Sequence, residues 1–148
     1  MIRRWNVARG RGMVALLSVA LALTACTRGP QPIAFNADTC DYCRMQISDP
    51  RFGGEIVTRK GKVLKFDSIE CLVDYSKQPN VSAEIGSAWV IDYMHPGTLI
   101  PATTARYVKL RPGMSPMGRG LASVAPGASV TRLRAEGATT DLTWSQVQ

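Results

Sequence analysis

The N-terminus constrains this chain more than any other stretch. Arg3, Arg4, Arg9 and Arg11 precede an uncharged, mostly apolar run from Met13 to Leu23. As a helix that run would rise only about 16 Å, far short of the roughly 30 Å of a bilayer core, so it reads as the h-region of a secretory signal rather than a span. Leu23-Thr24-Ala25-Cys26 follows, the Leu-small-small-Cys signature at which bacterial lipoproteins are cleaved. Residues 1–25 are therefore expected to be a signal peptide, and Cys26 the lipidated first residue of the mature chain. Residues 26–37, with Pro30 and Pro32 and no periodicity, read as a lipid-anchored tether. The expected location is the periplasmic face of a bacterial membrane.

Removing that leader changes the charge argument. The full chain has 18 basic and 11 acidic residues, a net charge of +7, but the mature part keeps only 14 basic residues against the same 11 acids. No Lys/Arg run with interleaved aromatics remains, so nucleic acid is not an expected partner. The chain carries 1 histidine, which excludes a multi-histidine metal centre and leaves any histidine-based catalysis to His95 alone. Followed by Pro96-Gly97, His95 reads as a loop residue. Three thiols persist in an oxidising compartment: Cys40, Cys43 and Cys71. An odd number means that at least one is free or bound to something other than sulfur.

The folded part is expected to be α+β, two small ββαβ units in tandem, the first over residues 38–95 and the second over 96–148. In the first, Glu55 to Arg59 and Lys62 to Phe66 are β-prone runs joined across Lys60-Gly61. Asp67-Ser68-Ile69-Glu70 resembles a capping box with Asp67 as the cap. The helix it opens should run to about Lys77 with Ile69, Leu72 and Val73 inward, and Trp89 to Tyr93 should be the next strand. The second unit repeats the order with strands at Thr98 to Ala102 and Arg106 to Leu110. Ser115-Pro116 then caps a short helix from Met117 to Ala125, and Val130 to Arg134 forms the last strand. Asp141 to Val147 suits one or two helical turns.

Chemistry concentrates in two segments. The first is Cys40-Asp41-Tyr42-Cys43-Arg44-Met45, a CxxCxM motif. CxxC alone fits zinc, redox or copper roles. Zinc wants four N/S ligands, and no second CxxC or histidine pair is present. A thioredoxin-like pair normally opens a helix, whereas this one follows an extended linker. Met45 favours copper, because a thioether is a soft, neutral ligand that cannot be lost to a disulfide. The second segment is Met114-Ser115-Pro116-Met117-Gly118, an MxxMG motif in which two thioethers flank a turn. Cys71, off the apolar stripe of its helix, reads as a buried structural thiol. Arg106, Lys109, Arg111 and Arg119 flank the methionines as a solvated face.

The lipoprotein cysteine, the CxxCxM motif, Phe66-Asp67-Ser68-Ile69-Glu70-Cys71-Leu72, Trp89 to Tyr93, Ala105 to Val108 and Ser115-Pro116-Met117-Gly118 occur in an order that resembles the NosL family. These are copper-binding lipoproteins encoded with nitrous oxide reductase. The resemblance covers essentially the whole mature chain. It implies a non-enzymatic protein that binds Cu(I) and hands it to the machinery assembling the copper centres of nitrous oxide reductase. It also implies a pair of ββαβ units, as in organomercurial lyase. The copper ligands it implies are Cys43, Met45 and Met117 first, with Cys40 and Met114 as further candidates. An exported thiol-disulfide oxidoreductase using Cys40 and Cys43 is the alternative, and a lipoprotein with a permanent Cys40–Cys43 bridge and no metal is another.

Overall fold

The computed structural model describes residues 29–148, so the expected signal peptide and the lipidation candidate Cys26 lie outside the described residues. Two small antiparallel sheets follow each other along the chain. In the first, β1 (Gly54–Thr58) and β2 (Val63–Phe66) form the expected hairpin, turned through Gly61 at φ +86°. Helix α1 (Ile69–Ser76) follows, then β3 (Ile85–Ile91) and β4 (Leu99–Pro101), giving the sheet order β2-β1-β3-β4. The second sheet has the order β6-β5-β7 and is built from β5 (Arg106–Lys109), β6 (Leu121–Val124) and β7 (Asp141–Leu142). Helix α2 (Thr131–Ala135) lies between β6 and β7, and a single-turn helix α3 (Trp144–Val147) ends the chain.

The tandem ββαβ architecture is thus present, β1-β2-α1-β3 and β5-β6-α2-β7, but several segments differ from expectation. Leu99–Pro101, expected to open the second unit, pairs instead with β3. The turn between them closes tightly, with Asp92 N–H donating to Thr98 O at 2.8 Å and Gly97 at φ +81°, and this sends the chain straight back along β3. The second unit therefore starts near Arg106 rather than at 96. Met117 to Ala125 is not a helix but a turn followed by β6. Gly118 and Gly120 both adopt positive φ, and all four residues of β6 are buried. A Cβ on Gly120 would lie 2.7 Å from Leu110 O, so only glycine lets β6 start so close to β5. Val130 to Arg134 is mostly helix α2 rather than a strand, because Leu133 alone of its residues turns inward. Asp141 to Val147 divides into β7 and α3, the latter opened by a Thr143/Gln146 capping box.

The segment read as a tether also belongs in part to the body. Ile33 is buried in the main core, Gln31 N–H donates to Glu55 Oε2 at 2.8 Å, and Lys65 Nζ–H donates to Pro32 O at 2.9 Å. The folded body therefore begins near Gln31, not at Asp38.

The two units share their cores. Tyr107 of β5 packs in the cluster formed around β1, α1 and β3, and its hydroxyl donates to Ala102 O at 2.6 Å. Phe52, which precedes β1, packs instead with Leu110, Val124 and Leu133 of the second unit. Ser123 ties the sheets together. Its hydroxyl donates to Ile91 O at 2.6 Å, and its carbonyl accepts Tyr93 N–H at 2.8 Å. Units of this size bury too little surface to stand alone, and here each completes the other.

Candidate metal centre

The CxxC segment is a closed loop lying against the first sheet. Thr39 and Gln46 form an isolated bridge across its neck, Cys40 N–H donates to Met45 O at 2.8 Å, and Arg44 turns the chain at φ +66°. Asp41 fastens the loop to β2 in both directions: its N–H donates to Lys65 O, and its carboxylate accepts Lys65 N–H, each at 2.8 Å. This holds the two thiols over the first turn of α1.

That turn begins one residue later than expected. Ser68, not Asp67, is the cap, its Oγ accepting Cys71 N–H at 3.1 Å. Asp67 is thereby released from capping and stands four residues before Cys71, a spacing that places both on one side of the turn. Cys40, Cys43, Asp67 and Cys71 each bring one ligand atom into a cluster whose members all lie within 4.8 Å of one another. The three cysteines are unbridged. Cys40 and Cys71 have no exposed surface, whereas Cys43 is half-buried and its thiol donates to Asp67 Oδ2 at 3.6 Å. Asp67 Oδ1 is buried without a hydrogen-bond partner.

The three thiols are electrostatically unequal. Cys40 is lowered to about 6 by the hydrogen bond from Cys71 and by backbone N–H groups of Asp67, Cys43 and Tyr42, which outweigh its burial. Cys71 is pushed up, because its proton is held in the bond to Cys40 and its site is dry. Burial pushes Cys43 up as well, helped by the neighbouring Cys40 and Asp67. Cys40 is thus the thiol of the three that loses its proton most readily.

The methionines divide into two groups. Met45 and Met114 line one cleft of about 410 Å³, whose wall also includes Asp67, Ser115 and Pro116. Asp67 thus borders both the thiol cluster and the cleft. Met45 is 54% exposed, and Met114 also packs partly against the second core. Met117 lies on the same turn as Met114 and is 37% exposed, but it is not among the residues lining this cleft. His95 is a loop residue, as expected. Its Nδ1 lies 2.8 Å from the buried Asp92 carboxylate, and its side chain is largely exposed.

Asp67 and Cys71 are the members that sequence reasoning assigned elsewhere. The available signal was Cys71 lying off the apolar stripe of its helix, one turn after an acidic residue.

Residues 32–147 match the family model described as NosL. Among solved structures, the chain is similar to the crystal structure of the copper chaperone NosL from Shewanella denitrificans. The TM-score is 0.67 and the identity 19%, covering 80% of this chain and 95% of that chain. At that identity the likeness speaks for the fold. No curated protein sequence matches the chain.

Proposed function

Because the chain belongs to the NosL family, we propose that it is a Cu(I) chaperone, lipid-anchored through Cys26 on the periplasmic side of a bacterial membrane. Its cargo would pass to the machinery that assembles the copper centres of nitrous oxide reductase. The observation that carries this reading is the cluster of three sulfurs beside a cleft lined by two thioethers. Thiolates alone also suit zinc, and it is the neutral thioethers on the open side that favour a cuprous ion.

The residues divide the work. Cys40, the thiol whose proton is most readily lost, is the first sulfur to capture the ion. Cys43 is the thiol next to it with an open side, and binding there replaces its proton by the metal. Asp67 Oδ2, which accepts the Cys43 S–H, is placed to receive that proton and release it into the cleft. Met45 and Met114 supply thioethers on the open side, where they can hold the ion while one thiolate at a time is exchanged for a partner's ligand. Met117, exposed on the same turn, is suited to contact copper as it enters or leaves. Cys71 completes the set from below as a third sulfur or a hydrogen-bond donor to Cys40.

The oxidoreductase alternative fits the thiols less well. An exchange enzyme needs its low-pKa thiol at the surface, yet Cys40 is fully buried and the accessible Cys43 is pushed up.

An anaerobic Cu(I) titration of the reduced chain carrying Cys26→Ser, against a cuprous chelator, tests the proposal. We expect competition at one equivalent, lost in Cys43→Ser and weakened about tenfold or more in Met45→Leu. Wild type that leaves the chelator fully loaded would remove the copper reading.

A further inference from the structure

Helix α1 and the methionine turn are joined through a buried carboxylate that no copper role accounts for. Glu70 has no exposed surface, and its Oε1 accepts two hydrogen bonds, from Ser115 Oγ–H at 2.6 Å and from Leu121 N–H at 3.2 Å. Ser115 is itself buried, and its Oγ accepts Gly120 N–H at 2.8 Å. Gly118 N–H donates to Ser115 O at 2.9 Å and Gly113 N–H to Gly118 O at 3.0 Å, which closes the turn carrying Met114 and Met117. On the outside, the Arg119 guanidinium donates to Glu70 O at 3.1 Å and to the Asp74 carboxylate at 2.6 Å.

The chain neighbours of these two residues are the relevant ones. Glu70 directly precedes Cys71, and Ser115 directly follows Met114. One side chain therefore spans from the helical turn bearing Asp67 and Cys71 to the loop turn bearing a cleft-lining thioether. Glu70 Oε2 is buried without a hydrogen-bond partner. Two donors from the methionine segment, Ser115 Oγ–H and Leu121 N–H, converge on the single Oε1, so the reach of this one side chain fixes the distance between the two turns.

We propose that Glu70 is a positioning residue for the soft-metal site: it sets the separation between the thiol cluster and the Met114 thioether. The proposal deepens the copper reading and rests on it. Groups that orient metal ligands through hydrogen bonds typically change affinity by about 10-fold to 100-fold when removed.

A double-mutant cycle separates this role from simple bracing. The reduced mature chain carrying Cys26→Ser is titrated with Cu(I) against a cuprous chelator as wild type, Glu70→Leu, Met114→Leu and the double variant. If Glu70 acts by placing Met114, each single change weakens binding about tenfold or more, and the double variant binds no more weakly than Met114→Leu alone. Glu70→Gln keeps an amide oxygen for both donors and should bind within about twofold of wild type. Losses that multiply in the double variant overturn the proposal, as does wild-type affinity in Met114→Leu or Glu70→Leu. Ser115→Ala, which removes one donor and leaves the carboxylate, serves in the same cycle should Glu70→Leu not fold. A wild-type chain that fails to take Cu(I) at all overturns the underlying copper reading, a result visible before any variant is compared.

Discussion

Glu55 sits in the middle of a sheet with no exposed surface, its Oε2 held by Gln31 N–H and its Oε1 without a partner. Burial raises its pKa above the ordinary 4.5, with the Gln31 hydrogen bond and Lys65 only partly opposing. The folded state therefore holds this proton more tightly than the unfolded chain does. The stability gained is complete below the unfolded value and is lost as pH rises through the higher folded value. Glu55→Gln cannot ionise, so its thermal midpoint should gain on wild type progressively from pH 4 to pH 7. Parallel midpoints across that range would show that Glu55 carries no burial cost. At this scale the sequence was informative wherever residue type alone carries chemistry. The cysteines and cleft methionines stand out by their softness, whereas Asp67 and Glu70 look like ordinary members of a helix start. Asp67 is freed by the one-residue shift of the cap to Ser68, and Glu70 takes its role from Ser115 and Leu121, some 45 to 51 residues away in the chain.

That shift makes a prediction about α1 as an element. Ser68→Ala removes the acceptor for Cys71 N–H and should destabilise the protein by about 1 kcal/mol, measured by urea denaturation. Asp67→Asn should leave the cap intact and act on the site instead. It removes the negative charge that helps raise Cys43, so the onset of Cys43 alkylation should move to lower pH. Loss of helix stability in Asp67→Asn equal to that of Ser68→Ala would restore Asp67 as the cap. The first hairpin and α1 were legible because β-branched runs, Lys60-Gly61 and a polar cap agree with one another. In the second unit only β5 and the terminal helical turn were. Leu121–Val124 is too short to show a period and is buried throughout, and α2 presents Leu133 as its inward residue, so strand and helix exchanged places. The ββαβ order is present all the same, carried in the second unit by β5, β6, α2 and β7.

For the whole molecule, the N-terminal strap is part of the stability. A chain starting at Asp38 lacks the buried Ile33 and exposes the oxygen of Glu55 that Gln31 satisfies. It should unfold at lower urea than a chain starting at Gly29, by about 2 kcal/mol or more for Ile33 alone. Equal midpoints would mean that the strap is only laid against the surface. The sequence reads this strap as free because Pro30 and Pro32 preclude periodicity, and a segment docked by single contacts leaves no pattern. Its docking has a spatial consequence. Between Cys26 and Gln31 only Thr27, Arg28, Gly29 and Pro30 remain, and the five steps from one to the other reach at most about 18 Å when fully extended. With the proposed lipid at Cys26, a body fixed from Gln31 onward would move as a raft on a short mooring rather than a buoy on a long line. The proposed copper exchange would then be an encounter in two dimensions, confined to partners that come down to the lipid surface themselves.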